Sequence, residues 1–472
     1  MLAANFKRTK IIITLGPASE SAEMIEKLIA AGANGIRLNF SHGTYEEFTQ
    51  DIKYVRAAAA KLGKPVAIIA DLQGPKFRIG NLPLTGVPLV RKHTVSFRFG
   101  TDYEKTGIIP IQHDFSAQVK PGQTIYLHDG QVEAIIKRCQ DSTVTAEVIS
   151  PGIIKSNHGI NLPDTRFKDG IFTPKDLEDL EFIMHSDIDY VAHSFVQNVT
   201  NIKTLREKLI AKKSQIGIIA KIETKAACED LEAIVQASDA VMVARGDLAI
   251  EIQPEVVPII QKQIIALARK YQKIAIVATQ MLESMIKSLQ PSRAEVSDVA
   301  TAVSELADSV MLSAETAVGN YPLETVEMMK RIICTNETSI LKTVPELNFN
   351  QSDQGNAISA AAVILARKIG AKVIIAETSS GQTARNLSAL RPSMPIIMTT
   401  YNLRVYNQLA ISWGGKSYYV RRAKDLMAVA DSIIKLLRTA GNIKTGDFVV
   451  VANGNQPGIS GRTDTVRMRV VN

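Results

Sequence analysis

Two short charged strings, Lys221-Ile-Glu223 and Arg245-Gly-Asp247, each follow a run of apolar residues that is typical of a buried strand. Side chains alternate between the faces of a strand, so Lys221 and Glu223 are predicted to share one face, as are Arg245 and Asp247. Charges at the ends of buried strands are costly unless other groups pair with them. A divalent metal ion with a phosphorylated ligand would pair with all four, which predicts a phosphoryl-transfer site. A purely structural network of ion pairs is the alternative interpretation.

The composition of the chain argues against several classes of protein. Its 472 residues predict about three domains, and its formal charge of +8 is spread along a chain with only 5% aromatic residues, which argues against nucleic-acid binding. Three widely spaced cysteines, Cys139, Cys228 and Cys334, match neither a disulfide framework nor a zinc site and favour a reducing, cytoplasmic environment. No apolar stretch approaches the roughly 18 residues of a transmembrane helix, so no membrane partner is expected.

The chain repeats a unit in which an apolar strand is followed by an amphipathic helix. Nearly continuous Val, Ile and Ala strands that alternate with helices indicate a parallel sheet covered on both faces. Eight such units predict a (β/α)₈ TIM barrel, in which the chemistry takes place at the C-terminal ends of the strands. The candidate strands are Lys10–Leu15, Gly35–Phe40, Val66–Asp71, Tyr190–Phe195, Ile216–Ile222, Ala240–Ala244, Ile274–Thr279 and Ser309–Ser313.

Two further domains are predicted beside this α/β catalytic barrel, which takes residues 1–73 and 168–345. Residues 74–167 change to short alternating strands with Gly and Pro turns, which predicts an inserted β-barrel domain placed as a lid over the catalytic face. Residues 346–472 begin with a polar linker and continue with alternating helices and strands, which predicts a C-terminal α/β regulatory domain.

Polar residues recur where the predicted strands end, and a barrel would bring them to one mouth. Two structural alternatives stay open: Arg37 could serve only as a salt-bridge partner of Asp71, and Thr279 could cap a helix. Besides the two opening strings, the strand-end residues are Arg37, Asn39, Ser41, Asp71, Lys76, Arg78, Thr279, Gln280, Ser313 and Glu315.

Five segments around these residues closely resemble the signature segments of the pyruvate kinase family, and the resemblance runs in order over nearly the whole chain. It implies phosphoryl transfer from phosphoenolpyruvate to ADP, giving pyruvate and ATP in the final step of glycolysis, by an enzyme that is usually a homotetramer. The rival functions are another Mg²⁺-dependent barrel enzyme, such as a carbon–carbon lyase, and a non-enzymatic effector-binding or scaffold protein. The segments are Arg37-Leu-Asn-Phe-Ser-His-Gly43, Ile219-Ala-Lys-Ile-Glu223, Met242-Val-Ala-Arg-Gly-Asp-Leu248, Ala278-Thr-Gln-Met-Leu-Glu-Ser284 and Met311-Leu-Ser-Ala-Glu-Thr-Ala317.

The resemblance also implies roles for the site residues. Glu223 and Asp247 would hold Mg²⁺ or Mn²⁺, while Lys221 and Arg37 would bind the transferred phosphoryl group. Thr279 would donate a hydrogen bond to the substrate carboxylate and lie near the water that protonates the enolate. The predicted catalytic residues are Lys221, Arg37, Thr279, Lys76 and Arg78, and the supporting residues are Arg78, Ser313 and Glu315. The predicted substrate-binding residues are Arg37, Asn39, Lys221, Ala244, Arg245, Gly246, Asp247, Thr279 and Ser313.

The sequence departs from the family pattern at several positions, two of which bear on ligand binding. Many family members bind K⁺ at the positions of Asn39, Ser41 and Asp71 together with a nearby Glu, and Lys76 stands at the position of that Glu. An ammonium group can take the space and charge of a monovalent cation, so the sequence predicts activity without K⁺. His158 stands where many relatives have a lysine that meets nucleotide phosphates, and its role stays open.

The C-terminal domain carries a separate phosphate signal in a loop that joins a predicted strand to a predicted helix. The hydroxyl and N–H groups of such a loop suit a phosphate, although an ordinary capped junction is the alternative interpretation. By resemblance the loop would bind a phosphorylated allosteric effector, whose identity stays open. The predicted effector-binding residues are Thr378, Ser379, Ser380, Gly381, Gln382, Thr383 and Arg462.

Overall fold

The computed structural model describes residues 6–166, 172–341, 354–422, 426–454 and 463–472. The predicted effector residue Arg462 lies outside the described residues, as do the two predicted domain boundaries at 167–168 and 345–346.

The helices and strands divide into a barrel that is interrupted once and two smaller units. The first barrel segment contains β1 (Lys10–Thr14), α1 (Ala22–Ala31), β2 (Gly35–Asn39), α2 (Tyr45–Leu62) and β3 (Ala67–Asp71). The lid contains β4 (Phe77–Arg78), β5 (Val87–Leu89), β6 (Thr94–Phe99), α3 (Tyr103–Thr106), β7 (Ile109–Ile111), β8 (Thr124–Leu127), β9 (Val132–Gln140), β10 (Thr143–Ser150), β11 (Gly152–Ile154) and β12 (Gly159–Asn161).

The chain then returns to the barrel and ends in the C-terminal domain. The second barrel segment contains α4 (Pro174–His185), β13 (Tyr190–His193), α5 (Val199–Ala211), β14 (Gly217–Ile222), α6 (Lys225–Glu229), α7 (Leu231–Ala237), β15 (Ala240–Ala244), α8 (Arg245–Ile252), α9 (Val257–Lys270), β16 (Ile274–Ala278), α10 (Arg293–Ser304), β17 (Ser309–Met311), α11 (Ala314–Ala317) and α12 (Pro322–Ile340). The C-terminal domain contains α13 (Gln354–Ile369), β18 (Val373–Glu377), α14 (Gln382–Ala389), β19 (Ile396–Thr400), α15 (Leu403–Gln408), β20 (Gly415–Tyr419), α16 (Leu426–Thr439), β21 (Phe448–Asn453) and β22 (Thr465–Val470). Short 3₁₀ helices cover Pro254–Val256, Glu283–Ile286 and Leu409–Ile411.

The eight predicted strands form a closed parallel barrel, in the order β1-β17-β16-β15-β14-β13-β3-β2. Every residue of β1, β3, β15 and β16 is buried, because the barrel interior covers one face and the surrounding helices cover the other. The predicted TIM barrel is therefore confirmed, and the C-terminal ends of its strands meet at one mouth.

The lid is a seven-stranded sheet in the order β4-β12-β8-β9-β10-β6-β7, with β5 and β11 paired separately. A single antiparallel bridge between Ile79 and Ile111 joins the two edges of this sheet. The side chains of Phe97, Phe115 and Ile125 lie in the lid's own buried core. The insertion is thus the separate all-β unit that the sequence predicts.

The C-terminal domain has a five-stranded sheet in the order β20-β19-β18-β21-β22, in which only the pairing of β21 with β22 is antiparallel. Apolar runs in the sequence predict strands at Lys372–Ala376, Ile396–Thr399 and Phe448–Ala452, which correspond to β18, β19 and β21, but no run predicts the two edge strands. Both edge strands are partly exposed, and β22 alternates apolar residues with Arg467 and Arg469. The α/β class of this domain is confirmed.

The C-terminal domain closes the N-terminal end of the barrel, which we call the base. Ala410 and Ile411 pack inside the barrel with Ile12 and Ile69. The Ser309 hydroxyl donates to the Ile411 carbonyl at 2.9 Å, which fixes the segment of Ala410 and Ile411 to β17. Within the described parts of the chain, no helix is both long enough and apolar enough to cross a membrane.

Candidate active site

Lys221 and Glu223 lie together at the barrel mouth, as the strand alternation predicts. The Lys221 Nζ lies 3.4 Å from Glu223 Oε2 and 3.3 Å from Asp71 Oδ1, and it donates to the Ser194 hydroxyl at 2.6 Å. The Phe195 N–H donates to Glu223 Oε1 at 2.6 Å. Three neighbouring strands, β3, β13 and β14, therefore position one ammonium group.

Arg37 of β2 contacts Asp71 of the neighbouring strand β3, which is the salt bridge that the structural alternative predicts. Its Nε donates to Asp71 Oδ2 at 2.7 Å, and its Nη1 donates to the Thr14 hydroxyl at 3.3 Å. Among the described residues its Nη2 has no hydrogen-bond acceptor, and 15% of the side chain is exposed. The salt bridge thus leaves one edge of the guanidinium available to a ligand at the mouth.

The prediction that Arg245 and Asp247 share a strand face is wrong, because α8 begins at Arg245 directly after β15. The Arg245 guanidinium pairs with Asp298 at 2.6 Å and donates to the carbonyl of Thr279 at 2.7 Å. Arg245 therefore holds the loop after β16, while Asp247 extends from the first turn of α8 toward the lid. Ala244, the last residue of β15, is buried directly before that turn.

Lys76 contacts Asp247 in this structure, and not the group around Asn39 where the sequence placed it. Its Nζ lies 2.9 Å from Asp247 Oδ1. Asn39 Oδ1 instead accepts a hydrogen bond from the Ser41 N–H at 3.3 Å, and Asp71 pairs with Arg37 and Lys221. The short segment after β3 is long enough to carry the ammonium to α8, which the sequence could not reveal.

Thr279 directly follows β16. Its side chain caps α8, which comes before β16 in the chain, and not a helix that starts at Thr279 itself. Its hydroxyl accepts a hydrogen bond from the Gly246 N–H at 2.9 Å and donates to the Ala278 carbonyl at 2.6 Å. Its φ is +69°, a left-handed conformation that is unfavourable for a β-branched residue. The contacts of Arg245 and Gly246 hold Thr279 in this strained position.

Glu315 ties together the loops after the last two barrel strands. It is buried, and it accepts hydrogen bonds from the N–H groups of Leu282 at 3.1 Å and Ser313 at 2.7 Å. These contacts fit the supporting role predicted for Glu315 and Ser313, because both loops border the mouth.

The charges at the mouth shift one another's pKa values. Burial alone would lower the pKa of Lys221, but Asp71 and Glu223 raise it above its ordinary value. Burial alone would raise the pKa of Asp71, but Lys221 and Arg37 together hold it below its ordinary value. Burial raises the pKa of Glu223 to about 7, with the attraction of Lys221 opposing this rise and the charge of Asp247 adding to it. Lys221 and Asp71 are therefore ionised at neutral pH, whereas Glu223 takes up a proton readily.

The lid and the barrel enclose a cleft of about 530 Å³ beside the mouth, lined by Lys76, Asp129 and Gly130 on one side and by Gly246 and Asp247 on the other. Such a volume suits a small-molecule ligand.

Two other predicted lid residues make contacts within the lid. Arg78 donates to the Asn157 carbonyl at 2.9 Å. His158 stacks on His128 with ring centroids 3.8 Å apart, and its Nδ1 accepts a hydrogen bond from the Lys155 N–H. The structure therefore brings Lys76, but not these residues, into contact with the barrel-mouth charges.

The carboxylates of Glu223 and Asp247 fit a Mg²⁺ site. Glu223 Oε2 is buried, yet it accepts no hydrogen bond from any described residue. Mg²⁺ binds through one or two carboxylates and takes its other ligands from water and substrate oxygens. Among the described residues no group of three or more His, Cys, Asp or Glu side chains could hold a metal ion, so the two carboxylates would need ligand or water oxygens to complete the coordination.

Sequence reasoning missed three residues that organise this site. Ser194 and the N–H of Phe195 contact Lys221 and Glu223, and Asp298 anchors Arg245. The position of Ser194 offered a signal, because it is a polar residue at the C-terminal end of the fourth predicted strand, Tyr190–Phe195, where no site residue was assigned. Asp298 lies in α10 and carries no signal in the sequence.

The predicted effector loop connects β18 to α14, as the sequence predicts. The Thr378 hydroxyl accepts from the Gly381 N–H at 2.9 Å, and the Thr383 hydroxyl is 2.7 Å from that of Thr463. The first contact lies within the strand–helix junction, and the second joins α14 to the residues before β22, while no side chain caps the N-terminus of α14. The hydroxyls of Ser379 and Ser380 make no hydrogen bond to any described residue.

A closed barrel with two carboxylates and a buried lysine at its mouth, covered by a lid, is the architecture of a metal-dependent phosphotransferase. The family model described as "Pyruvate kinase, barrel domain" matches residues 6–326, and that described as "Pyruvate kinase, alpha/beta domain" matches residues 356–469. The chain belongs to the pyruvate kinase family, as its sequence motifs indicate.

Similar proteins cover the chain almost completely. A pyruvate kinase of Agrobacterium vitis is 39% identical over 478 residues, covering 99% of this chain and 98% of that protein. The pyruvate kinase of Mycobacterium tuberculosis is 36% identical over 463 residues, covering 98% of each chain. The crystal structure of a pyruvate kinase from Cryptosporidium parvum superposes with a TM-score of 0.91 at 32% identity, covering 99% of this chain and 96% of that one.

Proposed function

We propose that the chain transfers the phosphoryl group of phosphoenolpyruvate to ADP at the barrel mouth, giving pyruvate and ATP in the last step of glycolysis. The convergence of Lys221 with Glu223, Asp71 and Ser194 is the observation that carries this proposal. An ammonium fixed by three strands can stabilise charge on a phosphoryl group without rearranging, and such preorganised electrostatics supply most of the catalysis in phosphoryl transfer.

Glu223 and Asp247 would hold the divalent cation, Mg²⁺ or Mn²⁺, through the buried Oε2 and the carboxylate at the start of α8. When bound, the cation neutralises substrate oxygens and orients the phosphoryl group. The raised pKa of Glu223 fits this role, because a carboxylate that is costly to ionise alone gains most from a cation beside it.

The other residues of the mouth would position the substrate. The free edge of Arg37 would bind the phosphoryl oxygens beside Lys221, since both cations pair with Asp71. The Thr279 hydroxyl and the backbone of Ala244, Gly246 and Asp247 would bind the substrate carboxylate at the start of α8. Arg245 acts through Thr279 and is a positioning residue.

The proposal predicts that the purified chain forms ATP from phosphoenolpyruvate and ADP with Mg²⁺, and that Lys221→Met loses this activity by about 10³-fold or more. Lys225→Met is the matched control, because Lys225 lies near the same strand end but pairs with Asp164 in the lid. Equal activity of Lys221→Met and wild type would overturn the assignment. Absence of ATP in the wild type would favour a lyase or a scaffold.

We also propose that the enzyme works without K⁺, because the Lys76 ammonium supplies a fixed positive charge at the mouth. The rate in tetramethylammonium buffer should then change little on adding KCl. Lys76→Glu should restore dependence on K⁺, while Lys76→Arg should not. A wild type that is activated many-fold by KCl would contradict this proposal.

The remaining proposals follow from the family alone. A homotetramer in the cytoplasm, regulated by a phosphorylated effector at the loop of Ser379 and Ser380, is expected. Light scattering of the purified protein across a range of concentrations would test the tetramer directly, and a monomer at all concentrations would contradict it.

A further inference from the structure

Lys76 lies in the short segment that leads from the barrel strand β3 into the lid, and the backbone of this segment is held at the mouth. The Gly74 N–H donates to Asp176 Oδ1 at 3.0 Å, and the Lys76 N–H donates to the Gly74 carbonyl at 2.9 Å. Gly74 has a φ of +68°, and a Cβ at this position would lie 2.9 Å from the Ser194 Cβ. The segment therefore turns tightly against the barrel, which leaves the flexible four-carbon side chain as the part of Lys76 that can rearrange.

The Lys76 side chain reaches from the lid to the barrel. Its stem lies against β12, since a Cβ at Gly159 would be 3.2 Å from Cε. Its ammonium lies 5.9 Å from the centre of the Phe195 ring and 2.9 Å from Asp247 Oδ1. Among the described residues no other oxygen accepts a hydrogen bond from Nζ. A single carboxylate therefore holds this ammonium at the mouth.

The two carboxylates proposed to hold the divalent cation each have an ammonium beside them. Lys221 lies near Glu223 but is also held by two further side chains, so it keeps partners when Glu223 binds a metal ion. Lys76 is held by Asp247 alone among the described residues. This pair is partly open to solvent, with 19% and 28% of the two side chains exposed, and such pairs contribute little to stability. Lys76 is therefore the cation that a metal ion can displace.

We propose that the Lys76 ammonium competes with the divalent cation for Asp247 and thereby weakens the binding of that cation. Two cations that contact one carboxylate repel each other, so the oxygen that Lys76 holds at 2.9 Å is a poorer metal ligand while the ammonium remains there. The anchored backbone keeps the displaced charge at the mouth. This inference rests on the proposed function and deepens it, because tight metal binding then needs substrate oxygens in addition to the two carboxylates.

The test is a Mn²⁺ titration of the intact, substrate-free enzyme, followed by the electron paramagnetic resonance signal of unbound Mn²⁺. Lys76→Met keeps most of the stem but removes the competing charge, so Mn²⁺ should bind about fivefold more tightly than to the wild type, as the loss of one partly exposed charge contact allows. Lys76→Arg keeps a cation beside Asp247 and should bind Mn²⁺ as the wild type does. The urea midpoint of Lys76→Met should equal that of the wild type, because the exposed pair contributes little to stability.

The matched control is Lys225→Met, which removes a lysine charge near the mouth from a pair with Asp164 of the lid. It should leave the Mn²⁺ affinity unchanged. An equal gain in both Met variants would assign the effect to net charge, and an unchanged or lower affinity in Lys76→Met would show that Lys76 does not compete. Either result overturns the inference.

ATP formation by the same samples separates this inference from the proposed function. A wild type that forms ATP while Lys76→Met gains no Mn²⁺ affinity refutes the competition alone. A wild type that forms no ATP while Lys76→Met gains affinity refutes the function alone. If no variant binds Mn²⁺ at millimolar concentration, both the metal site and the competition for it are refuted.

Discussion

At the mouth of the barrel, the Lys221 ammonium is shared among three oxygen-bearing side chains, and Glu223 keeps one buried oxygen without a hydrogen bond. At the base, Arg391 and Asp308 form a buried pair at 2.8 Å. Arg391 also donates to the Leu306 carbonyl, and Asp308 accepts from the N–H groups of Ala275 and Trp413.

This difference separates two uses of buried charge. A pair that is fully hydrogen-bonded, as at the base, joins two domains and leaves no capacity for a ligand. A cluster with an unsatisfied oxygen, as at the mouth, is costly in the free protein but ready to bind a cation and a phosphoryl group. The same residue types therefore stabilise at one end of the barrel and bind at the other.

The strongest test of this contrast is Glu223→Gln at the mouth. We expect ATP formation to fall by about 10³-fold or more, because the amide keeps the shape but removes the charge that would hold the cation. The stability to urea should stay equal or rise, since a buried charge with an unsatisfied oxygen is lost. A variant that is strongly destabilised and still active would show that Glu223 serves the fold, as Asp308 does.

The reciprocal substitution is Asp308→Asn at the base. It leaves the buried Arg391 without its counter-ion, which should lower the free energy of unfolding by about 3–5 kcal/mol. The variant that remains folded should keep the Mn²⁺ affinity of the wild type. Glu23→Gln, which breaks an exposed pair with Lys27, should leave the urea midpoint unchanged. A midpoint for Asp308→Asn equal to that of the control would mean that the base pair contributes little.

The sequence predicts the parts of the molecule in which a local pattern decides the geometry. Alternation along β14 places Lys221 beside Glu223, and the eight apolar runs give the barrel. Prediction from alternation fails where a strand ends without a Gly, Pro or capping residue to signal it. At Arg245 a helix begins where the alternation predicts a continued strand. Prediction also fails where a flexible side chain chooses among distant partners, as Lys76 does with Asp247.

The base shows the same limit in another form. The barrel partners of Arg391, Leu306 and Asp308, lie more than 80 residues away in the sequence, and no period or motif links them to Arg391. The edge strand β20 was missed because part of it is exposed, so its residues need not form an apolar run. Long-range pairing of charges and edge strands depends on the assembled fold, which short sequence patterns do not encode.

Arg245 offers an intermediate case between the two ends of the barrel. It lies at the mouth, but like Arg391 at the base it pairs with a carboxylate and donates to a carbonyl. Its contacts with Asp298 and the Thr279 carbonyl hold the loop after β16. Lysine lacks the planar fork of arginine, so Arg245→Lys should lower kcat about tenfold through Thr279 while Mn²⁺ affinity stays unchanged. Arg293→Lys on the exposed start of α10 is the control. A loss of Mn²⁺ affinity in Arg245→Lys would place Arg245 among the binding groups instead.

The smallest predicted effect is the pH dependence of metal binding at the mouth. Glu223 has a pKa of about 7, raised by burial, so below that pH it is protonated and a cation must displace the proton. For one such competing proton, Mn²⁺ affinity should fall about threefold between pH 7.5 and pH 6.5 and level off above pH 8. The measurement is a Mn²⁺ titration of the substrate-free enzyme across this range. A flat profile would mean that Glu223 is ionised throughout this pH range. The groups around Glu223 would then stabilise its buried charge as completely as Arg391 stabilises that of Asp308.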